Sequence, residues 1–208
     1  MDEYTTIRAY ASDEFVERRS RFIGYLQPVT SEEQAVAFIN AKKAEHWDAT
    51  HNVYAYILRE GQTRRYSDDG EPQGTAGIPV LEVLQREGLT DLVAVVTRYF
   101  GGVLLGAGGL VRAYSHAAKL AVDAAERMTM SECTELALAF GYDWYGKLLH
   151  ILPQFEAQVL SSDFGAQVQL RLLLRDSQLH PFEKALTELT AAQVTAQAVD
   201  KRFACIEG

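Results

Sequence analysis

Arg98 and Arg112 stand on either side of Gly101-Gly102 and Gly106-Ala107-Gly108-Gly109, and that pairing of cations with a glycine loop is the first pattern that could do chemistry. Backbone N–H groups in glycine-rich turns at a helix N-terminus bind anions such as phosphate. Tyr99, His116 and Lys119 stand close by in sequence, and the set suits RNA: arginine for phosphate, aromatic rings for unpaired bases. The segment lacks the Gly-Lys-Ser/Thr of a P-loop, and Gly106-Ala107-Gly108-Gly109-Leu110-Val111 misses the dinucleotide pattern at its last position. The competing reading gives the glycines only tight helix–strand packing and leaves the arginines solvated.

A second stretch, Ser67 to Gly77, reads SDDGEPQGTAG and contains Asp68, Asp69, Gly70, Glu71, Pro72, Gly74 and Thr75. Its three carboxylates have the chemistry to hold Mg²⁺ or to act as acid and base. Asp side chains that close turns onto nearby N–H groups are the stronger reading. His46-x-Asp48-x-x-His51 has metal-like spacing but straddles a helix end and a strand start, where the side chains need not converge. Ser115-His116 with Asp123 fails as a triad, because neighbours on a helix point about 100° apart. No catalytic residue, metal or cofactor is expected.

The elements that position these residues follow from periodicity. Leu92 to Val96 is too short for a helix and suits a strand buried on both faces, followed by the glycine loop and a long helix. In that helix Leu110, Ala113, Ala117, Leu120, Ala121 and Ala124 mark a core face, and Arg112, His116, Lys119 and Asp123 the outer one. Upstream, Phe15 to Gln27 reads as one or two strands with a charged bend. Ser31-x-x-Gln34 caps a helix ending near Trp47, with Lys42, Lys43 and Glu45 in solvent. Asn52 to Leu58 and Thr63 to Tyr66 read as a hairpin, and Pro79 as the N1 residue of a helix that Gly88 stops. Beyond a boundary at residue 131 come a strand (Leu136, Leu138, Phe140), a helix over 144–152, two strands about Asp163-Phe164-Gly165, a helix from Pro181 and a strand over 193–199. That βαββαβ order predicts a ferredoxin-like domain. The fold class is therefore α+β with two domains, 1–131 and 132–208.

The chain has 208 residues, 48% of them hydrophobic, and a net charge of −8, which argues against a broad electrostatic grip on nucleic acid or anionic membrane and leaves room for a local basic patch. Cys133 and Cys205 make no metal spacing, the start MDEYTT lacks signal-peptide character, and no segment reaches the 18 apolar residues of a membrane span. A cytoplasmic protein with free thiols is expected.

Taken together, SDDGEPQGTAGIP (Ser67 to Pro79) and VVTRYFGGVLLGAGGLVRAYS (Val95 to Ser115) resemble the signature of the IMPACT family, in its bacterial YigZ-type branch. SRFIG at Ser20 and ATHNVYAY at Ala49 resemble earlier segments of the same family. The resemblance implies a first domain similar to domain IV of elongation factor G and a ferredoxin-like second domain similar to its domain V. It implies no established catalysis, and a eukaryotic relative that regulates translation. The expectation is a non-enzymatic protein linked to translation, touching structured RNA, the ribosome or a ribosome-associated protein through the glycine-loop face, with the acidic loop beside it. Tyr99, Phe100 and Tyr114 are the anchors of an adaptor reading. The alternative is a Mg-dependent enzyme binding a nucleotide or other phosphorylated small molecule, with Asp68, Asp69 or Glu71 on the metal.

Overall fold

The computed structural model describes residues 3–206, which fall into two compact units, residues 5–128 and residues 129–206 with 3–4. The division lies inside one long strand, Arg127–Phe140.

The first unit is an antiparallel five-stranded sheet with helices on both faces. Its strands are β2 (Ala11–Glu17), β3 (Ser20–Pro28), β4 (His51–Ile57), β5 (Arg64–Ser67) and β6 (Leu92–Tyr99), after β1 (Glu3–Ile7), which joins the other sheet. Their order is β2-β3-β6-β4-β5, so β6 is central. Alternation along β6 sends Leu92, Ala94 and Val96 towards α2 (Gly77–Arg86) and α3 (Ala107–Ala124), and Val93 and Val95 towards α1 (Glu32–Glu45). Each of its larger side chains contributes about 1.5–3 kcal/mol by leaving water. Helix α3 packs backbone to strand: a Cβ on Gly24 of β3 would lie 2.3 Å from the Ala117 carbonyl oxygen.

Local signals explain the start of α1 and the end of α2. Ser31 Oγ accepts from Gln34 N–H at 3.3 Å, while Gln34 Oε1 reaches back to Thr30 N–H at 2.8 Å, one residue earlier than a strict capping box. Helix α2 stops in a Schellman arrangement, with Gly88 at φ +67° and Leu89 N–H on the Leu84 carbonyl at 3.0 Å. Its start differs from expectation: α2 begins at Gly77 and Pro79 is its third residue, because Asp68, nine positions upstream, supplies the cap. Lys42 is buried rather than solvated, its ammonium 4.1 Å from the centre of the Tyr25 ring and near Tyr10 and Phe38. On α3, Tyr114, Ala118 and Val122 join the core, Leu120 is only half-buried and Ala124 is exposed, since the helix touches α2 as well as the sheet.

The second unit has the expected ferredoxin-like order. Strand β7 (Arg127–Phe140) is followed by α4 (Tyr142–Ile151), β8 (Gln158–Phe164), β9 (Val168–Arg175), α5 (Asp176–Thr190) and β10 (Ala196–Ala204). The strands run β10-β7-β9-β8, antiparallel throughout. Its core takes Leu136, Leu138 and Phe140 from β7 and Val168, Leu170, Leu172 and Leu174 from β9, against Leu148 and Phe182 of the helices. Pro181 lies inside α5 instead of starting it; Asp176 opens the helix. Strand β1 adds to the sheet beside β7, and Tyr4 meets the Phe203 ring at 5.3 Å.

Candidate functional site

The glycine loop is built against the β2–β3 hairpin. Glu17 pairs with Ser20, so Arg18 and Arg19 form a two-residue turn, both with positive φ (46° and 67°). Ser20 Oγ accepts from Gly101 N–H at 3.2 Å, and a Cβ on Gly101 would lie 2.0 Å from the Arg19 carbonyl oxygen. Only glycine fits there, because both partners are backbone. Gly102 and Gly106 adopt positive φ, and Gly106 ends the loop as the N-cap of α3, with no side chain capping the helix. Gly108 has neither excuse: its φ is ordinary for a helix and an added Cβ would meet nothing within 4 Å.

The acidic loop turns its carboxylates inward. Asp68 accepts from the N–H groups of Gly74, Ala76 and Gly77 at 2.8–3.1 Å, closing the turn and starting α2. Asp69 accepts from Asn52 N–H at 2.7 Å and pairs with Lys43 at 2.6 Å, while its carbonyl meets His51 Nδ1 at 2.8 Å. Thr75 Oγ1 donates to the Pro72 carbonyl at 2.6 Å, and Gly70 and Gly74 supply positive φ. Glu71 is buried, its Oε1 accepting from Arg98 at 2.6 Å and from Tyr114 at 2.7 Å, with His51 Nε2 at 3.7 Å. Burial and the Glu71 carboxylate hold the Tyr114 phenol well above its ordinary pKa, so it stays a donor. Among the described residues no group of three or more His, Cys, Asp or Glu is placed to hold a metal ion.

The expected contact residues therefore separate. Arg98 is beneath the surface, tied to Glu71 and Ser20, rather than presented to solvent. Tyr99, next along β6, faces the α1 side, where its hydroxyl meets His46 Nδ1 at 2.8 Å and Asp48 at 3.3 Å. Lys119 is neutralised by Glu87 and Asp123. Tyr114 is fully buried and cannot anchor a partner. Arg112 and His116 do share one exposed face, with Gly106, Gly108 and Gly109 in the same helix start.

That face carries residues that the motif reading left out. Phe15, Glu17 and Arg18 of the hairpin and Leu105 join Gly109, Arg112, Ala113 and His116 around a half-open cleft of about 250 Å³. His116 sits edge-on to the Phe15 ring at 4.6 Å. Arg112 has no hydrogen-bond or ion-pair partner among the described residues, and Arg18 lies 3.9 Å from Glu17. The available signal was Arg18-Arg19 between two strand-like runs, a tight turn that aims cations at whatever follows it.

Residues 18–122 match the Impact N-terminal domain and residues 138–193 match a domain of unknown function, DUF1949. IMPACT family member YvyE of Bacillus subtilis (strain 168) is 36% identical over 191 residues, 91% of this chain and 88% of that protein. The chain belongs to the IMPACT family. Family member YigZ of Escherichia coli (strain K12) is 34% identical, covering 88% of this chain and 92% of its own. A solved structure described as a hypothetical protein superimposes with a TM-score of 0.63 at 32% identity, over 96% of this chain and 98% of that one. Protein IMPACT of Xenopus laevis is 35% identical over 94 residues, 43% of this chain and 30% of that protein.

Proposed function

We propose that this IMPACT family protein is a non-catalytic binding protein of translation, working in the cytoplasm, that contacts structured RNA of the ribosome or of a ribosome-associated assembly through the glycine-loop face. The observation that carries the reading is Arg112, an arginine without a carboxylate partner among the described residues, beside the uncapped start of α3 and the Arg18-Arg19 turn. An arginine fork and helix-terminal N–H groups suit phosphate oxygens. Phe100, 45% exposed, and Leu104, 81% exposed, lie on the same loop and offer apolar surface for bases. The family supports a link to translation through its eukaryotic members, as the signature resemblance implied. With a net charge of −8, the contact is small, local and salt-sensitive.

The enzyme alternative draws no support from the acidic loop, whose carboxylates are taken by backbone N–H groups, Lys43, Arg98 and Tyr114. Co-sedimentation with ribosomes at low and high salt, with and without ribonuclease, tests the proposal. Ribonuclease- and salt-sensitive recovery, lost in R112Q/H116Q, is the expected result. Recovery unchanged in that variant would overturn it.

A further inference from the structure

The cleft beside α3 narrows the ligand. We infer that it binds the terminal phosphate of a nucleotide, either at the 5′ end of an RNA chain or on a free mononucleotide; the RNA form rests on the contact proposed above.

Three independent features converge on it. Arg18 and Arg19 occupy the two central positions of a hairpin turn with φ +46° and +67°, a geometry that favours Asn-Gly. Bulky side chains in left-handed conformation are strained, and strain of this kind clusters at ligand clamps. Next, the Arg19 backbone is seated directly on Gly101, and Ser20 Oγ holds the Gly101 amide, so the turn carrying Arg18 is fixed relative to the loop before α3. The third feature is charge. Arg8, Arg21, Arg127 and Lys119 of the same unit each have a carboxylate within 3.2 Å. Among the described residues Arg112, like Arg64, Arg65 and Arg86, has none, and of these four it is Arg112 that lines the cleft, beside Arg18, which has only Glu17 at 3.9 Å.

The shape selects an end rather than a passing strand. About 250 Å³ is smaller than the roughly 300–1,000 Å³ of a pocket for a whole drug-sized ligand. Donors reach the cleft from two elements, Arg18 from the hairpin and Arg112 with His116, one turn apart, from α3. A terminal phosphate offers three free oxygens and up to two charges to such a set, whereas a diester within a chain offers two oxygens and one charge. Phe15 and Leu105 form an apolar wall against which the attached sugar or base packs.

The test uses the full chain and one short RNA oligonucleotide with either a 5′-phosphate or a 5′-hydroxyl, read by fluorescence anisotropy, with adenosine monophosphate and inorganic phosphate as competitors. The expected result is about tenfold tighter binding of the phosphorylated form, lost in R112Q and in R18N. Asn tolerates the left-handed turn, so R18N keeps the fold, and an unchanged melting temperature separates loss of ligand from loss of structure. Adenosine monophosphate binding with no RNA binding supports the site and overturns the RNA reading. Equal binding of both oligonucleotides overturns the terminal-phosphate site and keeps the RNA contact. No binding of any probe overturns the inference, and ribosome co-sedimentation then judges the RNA contact separately.

Discussion

Tyr114 donates its phenolic hydrogen to Glu71 Oε1 across 2.7 Å, with both side chains buried, and so ties α3 to the acidic loop. Arg98 donates to the same oxygen from β6 at 2.6 Å. The two glycine-rich stretches thus meet through an internal carboxylate rather than as one open surface. Glu71, Arg98 and Tyr114 shape the glycine-loop face from beneath.

Removing the shared acceptor strands a buried cation and a buried hydroxyl. E71A is expected to cost about 3–5 kcal/mol, the usual penalty for breaking a buried ion pair from one side. Urea denaturation of E71A and wild type measures it, and a shift below about 1 kcal/mol would show that the pair is solvated.

The Tyr114 phenol also predicts alkaline sensitivity. Its folded pKa is raised, by burial first and then by Glu71, above the unfolded value of about 10. Its contribution is therefore complete below about pH 10 and declines as pH rises, because the unfolded chain loses the proton first. Y114F should be less stable at pH 7 by about 1.5–3 kcal/mol, for a lost charged hydrogen bond, yet show a shallower decline between pH 10 and 11.5. Melting temperatures across that range compare the two slopes.

Asp68 works on backbone amides alone. Its carboxylate accepts from Gly74, Ala76 and Gly77, the last being the first residue of α2. D68A should lose at least the 0.5–2 kcal/mol typical of a helix cap, roughly, and D68N should recover part of it. Guanidinium titrations of the three proteins provide the comparison. Equal midpoints for D68A and wild type would refute the capping role.

Much of this architecture is legible in residue order. A short, continuous apolar run places β6, period-two alternation places β9, and serine and glycine signals place the start of α1, the end of α2 and the start of α3, because those rules are local. What stays hidden depends on distant partners. Glu71 reads as one of three loop carboxylates with the chemistry for Mg²⁺ or acid–base work until Arg98 and Tyr114, 27 and 43 residues on, are brought to it. Lys42 reads as solvent-facing until Tyr10 and Tyr25 cover it. Arg18 drops out of a motif-based site because its role comes from hairpin geometry, not from the signature.

His46 predicts the acid limb of the stability curve. Its Nε2 lies 2.6 Å from the Tyr25 hydroxyl and its Nδ1 2.8 Å from that of Tyr99, which also reaches Asp48. With Tyr99 donating to Asp48, Nδ1 donates to Tyr99 and Nε2 accepts from Tyr25, the neutral imidazole. Burial lowers its pKa below the unfolded value of about 6.5. The unfolded state then takes up its proton first, and stability falls as pH drops from about 6.5 through the folded pKa. H46Q should flatten the dependence of the melting temperature between pH 7 and 5; an unchanged slope would assign the acid limb to carboxylates.

The glycines of the loop before α3 and of its first turn include some that the fold requires and Gly108, which it does not. In G101A the new methyl meets the Arg19 carbonyl oxygen at 2.0 Å with backbone on both sides, so the hairpin tip or the loop must move. A loss of about 1–3 kcal/mol is expected, as for overpacking elsewhere. G108A is the opposite case: the Cβ enters open space in the first turn of α3, and Ala exceeds Gly by up to about 1 kcal/mol in helix propensity. G108A should therefore melt higher than wild type while weakening ligand binding at the helix start, where the methyl keeps a phosphate from the backbone N–H groups. A gain in both stability and affinity would mean that ligand stays clear of the α3 N-terminus and is held by side chains alone.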